Sequence, residues 1–141
     1  MVSRADSDEF YVMGLCDQVL GEVGLRQHRF DWLRGDPGAN GVGQTLPVDG
    51  YWPGHNLVVE YWEIQHDQPV KVFDRRMTVS GVDRGTQRKI YDDRKAVQLA
   101  EHGIDLVIVR ARDLPMVARK LRRDVGRDEQ VLRALLDRWL S

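Results

Sequence analysis

Cysteine is nearly missing from this chain, lysine is scarce, and no long apolar run occurs. The single Cys16 among 141 residues can close no internal disulfide and has no second sulfur for a metal knuckle. Disulfide scaffolds and cysteine-rich zinc folds are therefore excluded, and the expectation is a buried thiol in a reducing, cytoplasmic setting. Nothing approaches the roughly 18 consecutive apolar residues of a membrane span, so no membrane partner is expected. The opening residues MVSRADSDEF hold no apolar segment of the secretory type. Lysine numbers 4 against 17 arginines, an imbalance that by itself selects no chemistry. Internal repeats and low-complexity segments are also lacking.

What is present is the composition of a globular chain, 42% hydrophobic and 30% charged. The length suits one domain over 1–141 with a single sizeable core. Net charge is only −1, which argues against a polycation that coats nucleic acid. The charge is unevenly spread. Residues 1–69 carry 11 acidic and 4 basic side chains, a balance of −7, whereas residues 70–141 carry 11 and 17, a balance of +6. Such halves suit an acidic pocket on one segment and a phosphate-facing surface on the other, or simply two solvated faces of opposite sign.

Periodicity and turn chemistry order the elements. Residues 6–21 read as a helix with Phe10, Met13 and Leu20 on one side together with Cys16-Asp17, Asp6 or Ser7 as N-cap, and Gly21 or Gly24 as the stop. RQHRFDWL reads as a strand with Phe30 and Trp32 on one face, ended by the turn cluster Gly35-Asp36-Pro37-Gly38. GANGVGQT is a glycine-rich loop without the Gly-Lys-Ser/Thr ending of a phosphate loop. Strands follow at 46–52 and 57–64, separated by the turn Pro53-Gly54-His55-Asn56. Residues 67–86 read as irregular and charged. A helix runs from Thr86 to about His102 and stops at Gly103, and IDLVIVRA is a buried strand. Asp113 is expected to cap a short helix to about Val125, which Gly126 breaks. Asp128 then starts a last amphipathic helix with Val131, Leu132, Leu135, Leu136 and Trp139 as its stripe. The order is α-β-β-β-α-β-α-α, a mixed α/β chain.

Within that order two carboxylates stand out. Glu60 lies in the middle of LVVEYW, a run apolar on both faces, and Asp49 stands eleven residues earlier on the preceding strand. Removing an ionised carboxylate from water costs several kcal/mol unless a partner or metal compensates. If the two acids share a face and level, they form the kind of site Mg²⁺ takes, with one or two carboxylates plus water and phosphate. The plainer reading is that Glu60 pairs with an arginine and Asp49 is a turn residue before Gly50. His28, His55 and His102 show no paired spacing for zinc.

These residues resemble the PD-(D/E)XK nuclease superfamily, nearest to its bacterial branch related to very-short-patch repair endonucleases. The resemblance covers roughly residues 25–110. It rests on Pro47-Val48-Asp49-Gly50-Tyr51 and Leu57-Val58-Val59-Glu60-Tyr61 for the two acids, and on Gln65-His66 after the strand. Asp92-Asp93-Arg94-Lys95, Gly103-Ile104 and the strand at 106–109 complete the set. It implies a restriction-endonuclease-like α-β-β-β-α-β core over about 6–112, with a mixed sheet, and extra C-terminal helices over 113–141.

The resemblance also implies an activity: Mg²⁺- or Mn²⁺-dependent hydrolysis of DNA phosphodiesters, with duplex DNA as partner and homodimerisation open. Asp49 and Glu60 are then the metal ligands, with Glu63 either an added ligand or a solvated acid. Arg75, Arg76, Arg84, Arg88 and Lys89 are expected to contact phosphates. The superfamily places a lysine two residues after the glutamate, but here that position is Trp62, which can neither activate water nor neutralise charge. Lys95 can supply the cation from the following helix, where Arg88, Asp92 and Lys95 share a face, or form part of a solvated face. Alternatively, Gln65 or His66 orients or deprotonates water at the strand end. The competing class is a nuclease-fold module that binds nucleic acid or a protein without cutting. A third is a structural domain whose acids pair internally.

Overall fold

Helix α1, Asp8–Leu20, is fixed at both ends by its sequence. The Ser7 hydroxyl accepts the Phe10 N–H at 3.1 Å, and Gly21 closes the helix in the left-handed region at φ 67°. These elements come from a computed structural model that describes residues 7–37, 41, 43–63, 84–114, 116–117 and 120–140. Strands β1 (Leu25–Pro37), β2 (Gly43–Trp52), β3 (Leu57–Trp62) and β4 (Asp105–Arg110) form one sheet in the order β1-β2-β3-β4. Helix α2, Arg84–Glu101, lies between β3 and β4 in the chain, and helix α3, Val125–Leu135, follows the sheet. β2 pairs antiparallel with β3, and β3 pairs parallel with β4 through the α2 crossover, so the sheet is mixed. The fold class is α/β, with three helices among the described residues.

Two compact units divide the chain: Met1–His28, Val48–Asp67 and Asp105–Ser141 form one, and Arg29–Pro47 and Gln68–Ile104 form the other. In the first unit, α1 and α3 cover one face of the sheet. Val12, Met13, Cys16 and Val19 pack with Leu57, Val59 and Tyr61 of β3, Val109 of β4, and Leu132 and Leu136. Trp52 joins this core, and its ring explains Gly50: a Cβ there would stand 2.6 Å from the indole and 2.8 Å from Met13 Sδ. Asp17 locks the indole edge, its Oδ1 accepting from Trp52 Nε1 at 3.0 Å and from Gly24 N at 2.9 Å while Arg26 forms an ion pair with Oδ2 at 2.6 Å.

In the second unit, α2 grips the far half of β1. The Tyr91 hydroxyl accepts the Asp36 N–H at 2.9 Å, and Arg94 pairs with the Asp36 carboxylate at 2.8 Å. Trp32 stacks between Phe30, at 4.7 Å, and His102, at 3.6 Å.

Several expectations need correction. Phe10 is 42% exposed, whereas Met13, Cys16 and Leu20 are buried as expected, and Val12, Leu15 and Val19 share the buried face of α1 with them. β1 continues through Gly35 to Pro37, because Tyr91 and Arg94 hold Asp36 in the strand that was expected to turn there. β3 ends at Trp62, two residues early, and α2 begins at Arg84, two residues before Thr86. The helix expected from Asp113 does not form. Leu114 precedes Pro115, which disfavours the helical region, and takes φ −116°, ψ 156°. A hairpin of β5 (Met116–Val117) and β6 (Lys120–Leu121) replaces it. Gly126 lies inside α3, whose N-cap is Asp124, accepting Arg127 N–H at 3.1 Å. Asp128, expected at the helix start, is buried and accepts the Tyr11 hydroxyl of α1. The irregular stretch 67–86 lies outside the described residues except for 84–86, which belong to α2. No described helix is long and apolar enough to cross a membrane.

This core fixes an alkaline limit to stability. Burial, then the adjacent Asp17 charge, pushes the Cys16 thiol up to about 12. Burial, then the Asp128 hydrogen bond, raises Tyr11 further, and burial, then the Asp8 charge, raises Tyr61. Each group ionises more easily unfolded, near about 8.5 for the thiol and about 10 for the phenols. Their contributions are complete below those values and are lost as pH rises toward the folded ones. Urea denaturation from pH 7 to 11 should show stability falling above about pH 8.5 and more steeply above about 10, with Cys16 inert to alkylation until the chain unfolds. A flat profile, or ready alkylation of the native chain, would contradict this packing.

Candidate functional site

Gly50 opposite Val59 is the last ladder pair of β2 and β3, and one further step sets Asp49 opposite Glu60. Opposed residues in an antiparallel pair share a face, so the two acids stand on the same side, away from Val59 and the α1 face. The backbone ladder gives way at this level to side chains. Asp49 N–H donates to Glu60 Oε2 at 3.0 Å, and Tyr61 N–H donates to Asp49 Oδ2 at 2.8 Å. Each strand thus presents a carboxylate to an amide of the other. Glu60 is only 4% exposed, and this N–H dipole offsets part of its desolvation through a charge-assisted hydrogen bond.

Two residues not singled out in the sequence join this pair. The side-chain amide of Gln27, on β1, donates to Asp49 Oδ1 at 3.3 Å and to Glu9 Oε2 at 2.9 Å. Gln27 does so from a left-handed backbone, φ 48°, uncommon for a residue with a side chain. Glu9 sits in the first turn of α1, where an acid also suits the positive helix end. Only the pairing of β1 with β2 and the approach of α1 bring Glu9 and Gln27 to Asp49. Tyr51, two residues past Asp49 on the same face, stacks on His28 at 5.2 Å.

The other expected residues are dispersed. Trp62 ends β3 half-buried, on the Glu60 face by alternation. Glu63 follows, exposed, and its charge acts on the Tyr61 hydroxyl of the opposite strand face. Lys95, Arg88 and Asp92 stand half-buried on α2 in the second unit, on the shared helical face expected of them. Lys89 is 79% exposed and pairs with Asp93 at 3.5 Å. Arg84 begins α2. Gln65, His66, Arg75 and Arg76 lie outside the described residues.

As a donor set, Asp49 and Glu60 offer hard carboxylate oxygens from two rigid strands, the ligand type that Mg²⁺ and Mn²⁺ take. Asp49 meets the Tyr61 N–H through Oδ2 and the Gln27 amide through Oδ1, and Glu60 meets the Asp49 N–H through Oε2, while a carboxylate oxygen that accepts one hydrogen bond keeps a second lone pair. The pair therefore fits a hard divalent cation. Among the described residues no group of three or more His, Cys, Asp or Glu side chains forms a metal-holding cluster.

The cross-strand brace predicts a split between two variants. Asp49→Ala removes the acceptor of Tyr61 N–H and of the Gln27 amide, and should cost about 1–3 kcal/mol in urea denaturation. Asp49→Asn keeps an oxygen there and should cost clearly less. Equal losses would show that the carboxylate does not brace the strands. No family model, curated protein or solved structure matches this chain, so its function is read from the chemistry of the site.

Proposed function

We propose that this chain is a metal-dependent endonuclease domain of restriction-endonuclease-like fold that hydrolyses phosphodiester bonds in DNA, with Asp49 and Glu60 as the ligands of Mg²⁺ or Mn²⁺. The observation that carries the reading is the pair of acids facing each other across β2 and β3 where the ladder stops. A lone buried glutamate is explained by any ion pair. Two opposed acids on one face repel, and a divalent cation between them offsets that repulsion. When bound, such a cation lowers the pKa of an attacking water and neutralises charge on the phosphoryl oxygens.

The chain's own residues set the rest. The N–H groups of Asp49 and Tyr61 hold each carboxylate in a single orientation before substrate arrives. Trp62 walls the Glu60 face and limits water beside the reacting atoms. Gln65 and His66, just past β3, are the candidates for orienting or deprotonating water, and Lys95 is the candidate cation that the sequence offers on α2. Phosphate contacts fall to Arg75, Arg76, Arg84, Arg88 and Lys89. Trp62 in place of lysine favours the second reading, a module of the same fold that binds DNA or a protein without cutting it.

Plasmid nicking with Mg²⁺ or Mn²⁺ separates the two. The unaltered chain should nick in a metal-dependent manner, and Glu60→Gln, which removes the ligand charge while keeping its shape, should abolish nicking with folding retained. No cleavage with any divalent metal on duplex, mismatched or single-stranded DNA would leave the non-cutting module. Duplex affinity should also fall steeply between low and moderate salt, as release of counterions from several phosphates requires. An affinity that is flat with salt would remove nucleic acid as the ligand.

A further inference from the structure

In the parallel register of β3 and β4, Glu60 lies opposite Ile108 and Trp62 opposite Arg110. Residues paired in a parallel ladder point to the same side of the sheet, so Arg110 projects from the Glu60 face. Its guanidinium stands over the Trp62 ring, 5.2 Å from the centroid. The backbone beneath is fixed, because Arg110 N–H donates to Asp113 Oδ2 at 3.0 Å where the chain enters the 3-10 helix Ala111–Asp113. Half-buried and always protonated, Arg110 holds a permanent positive charge at the strand position that follows Glu60 on that face.

Resting on the phosphodiester-site reading above, we propose that Arg110 is the catalytic cation of this site, with Trp62 serving as its platform. The aromatic side chain at position 62 then has a role: it holds a guanidinium from the next strand where a lysine from its own strand would otherwise stand. Glu60 and Trp62 are one pleat repeat apart, about 6.6 Å along the strand, which a long arginine side chain spans. Stacking uses the face of the guanidinium, whereas bidentate pairing with two phosphoryl oxygens uses its planar N–H edge. The place also suits a ligand, since open α/β sheets bind ligands at the carboxyl ends of their parallel strands, and Trp62 and Arg110 are the last residues of β3 and β4. As the attacking oxygen bonds to phosphorus and the leaving oxygen departs, negative charge builds on the non-bridging oxygens. A fixed cation there stabilises the transition state more than the ground state.

Three measurements on the full chain test this. Arg110→Ala should slow single-turnover cleavage of a duplex with Mn²⁺ by about a hundredfold or more. Its Mn²⁺ affinity by calorimetry should stay within about twofold, because the metal ligands are untouched. Arg110→Lys should recover part of the rate. In the unaltered chain, the Arg110 Nε–H resonance should move when a short duplex is added in EDTA, a readout that needs no cleavage and no variant. Cleavage by Arg110→Ala at the unaltered rate would overturn the proposal, as would a resonance that stays put at saturating duplex. If the unaltered chain does not cleave, the nuclease reading fails and Arg110 is judged by binding alone. A moved resonance with about tenfold weaker duplex affinity in Arg110→Ala would keep it as a phosphate contact, and anything less would end that role as well.

Discussion

Everything near the site depends on how one buried carboxylate is tolerated. Glu60 occupies an interior strand, flanked by β2 and β4, with Val59 and Tyr61 beside it in the core. In such a place a backbone amide is the least costly partner, because it brings a dipole without a second side chain to desolvate. The facing amide is released only if the ladder stops. The Asp49 N–H turns to Glu60, and Asp49 in turn accepts the Tyr61 N–H. Ending the ladder and placing the acids are thus one structural event.

That event needs rigid surroundings, and the core supplies them. Trp52 closes the β2 end next to Asp49, and Gly50 is bare because the indole and Met13 occupy the space of its side chain. Asp17, next to Cys16 on α1, anchors the same indole and pairs with Arg26. The contrast between Asp17 and Asp49 is instructive. Asp17 meets a guanidinium, an indole N–H and a backbone N–H, a set that satisfies a structural carboxylate. Asp49 meets a backbone N–H and the Gln27 amide but no guanidinium, and it stands opposite a second acid across the strands.

The parts of the fold legible in the sequence were those written in local chemistry. Ser7 and Gly21 bound α1, Gly103 stops α2, and the β-branched run at 105–110 is β4, as capping rules and periodicity indicate. Asp49 and Glu60 fell opposite each other because alternation and turn position fix register. Features that depend on distant segments were not legible. Asp36 reads as a turn residue until Tyr91 and Arg94 hold it in a strand. Asp128 reads as a cap until Tyr11 is seen to bury it. Leu114 stays extended for a reason local to the sequence, since the following proline opposes a helix. Gln27 and Arg110 could not be found at all, because one needs a left-handed backbone that no motif announces and the other a parallel partner strand.

The central claim is that the opposed acids on β2 and β3 hold a divalent cation. A crystal of the chain equilibrated with Mn²⁺ and measured at a wavelength where manganese scatters anomalously tests it most directly. The account predicts a difference peak within bonding distance of oxygens from both Asp49 and Glu60. A saturated crystal with no peak there, and with both carboxylates still engaged only by the backbone amides and side chains around them, would contradict it.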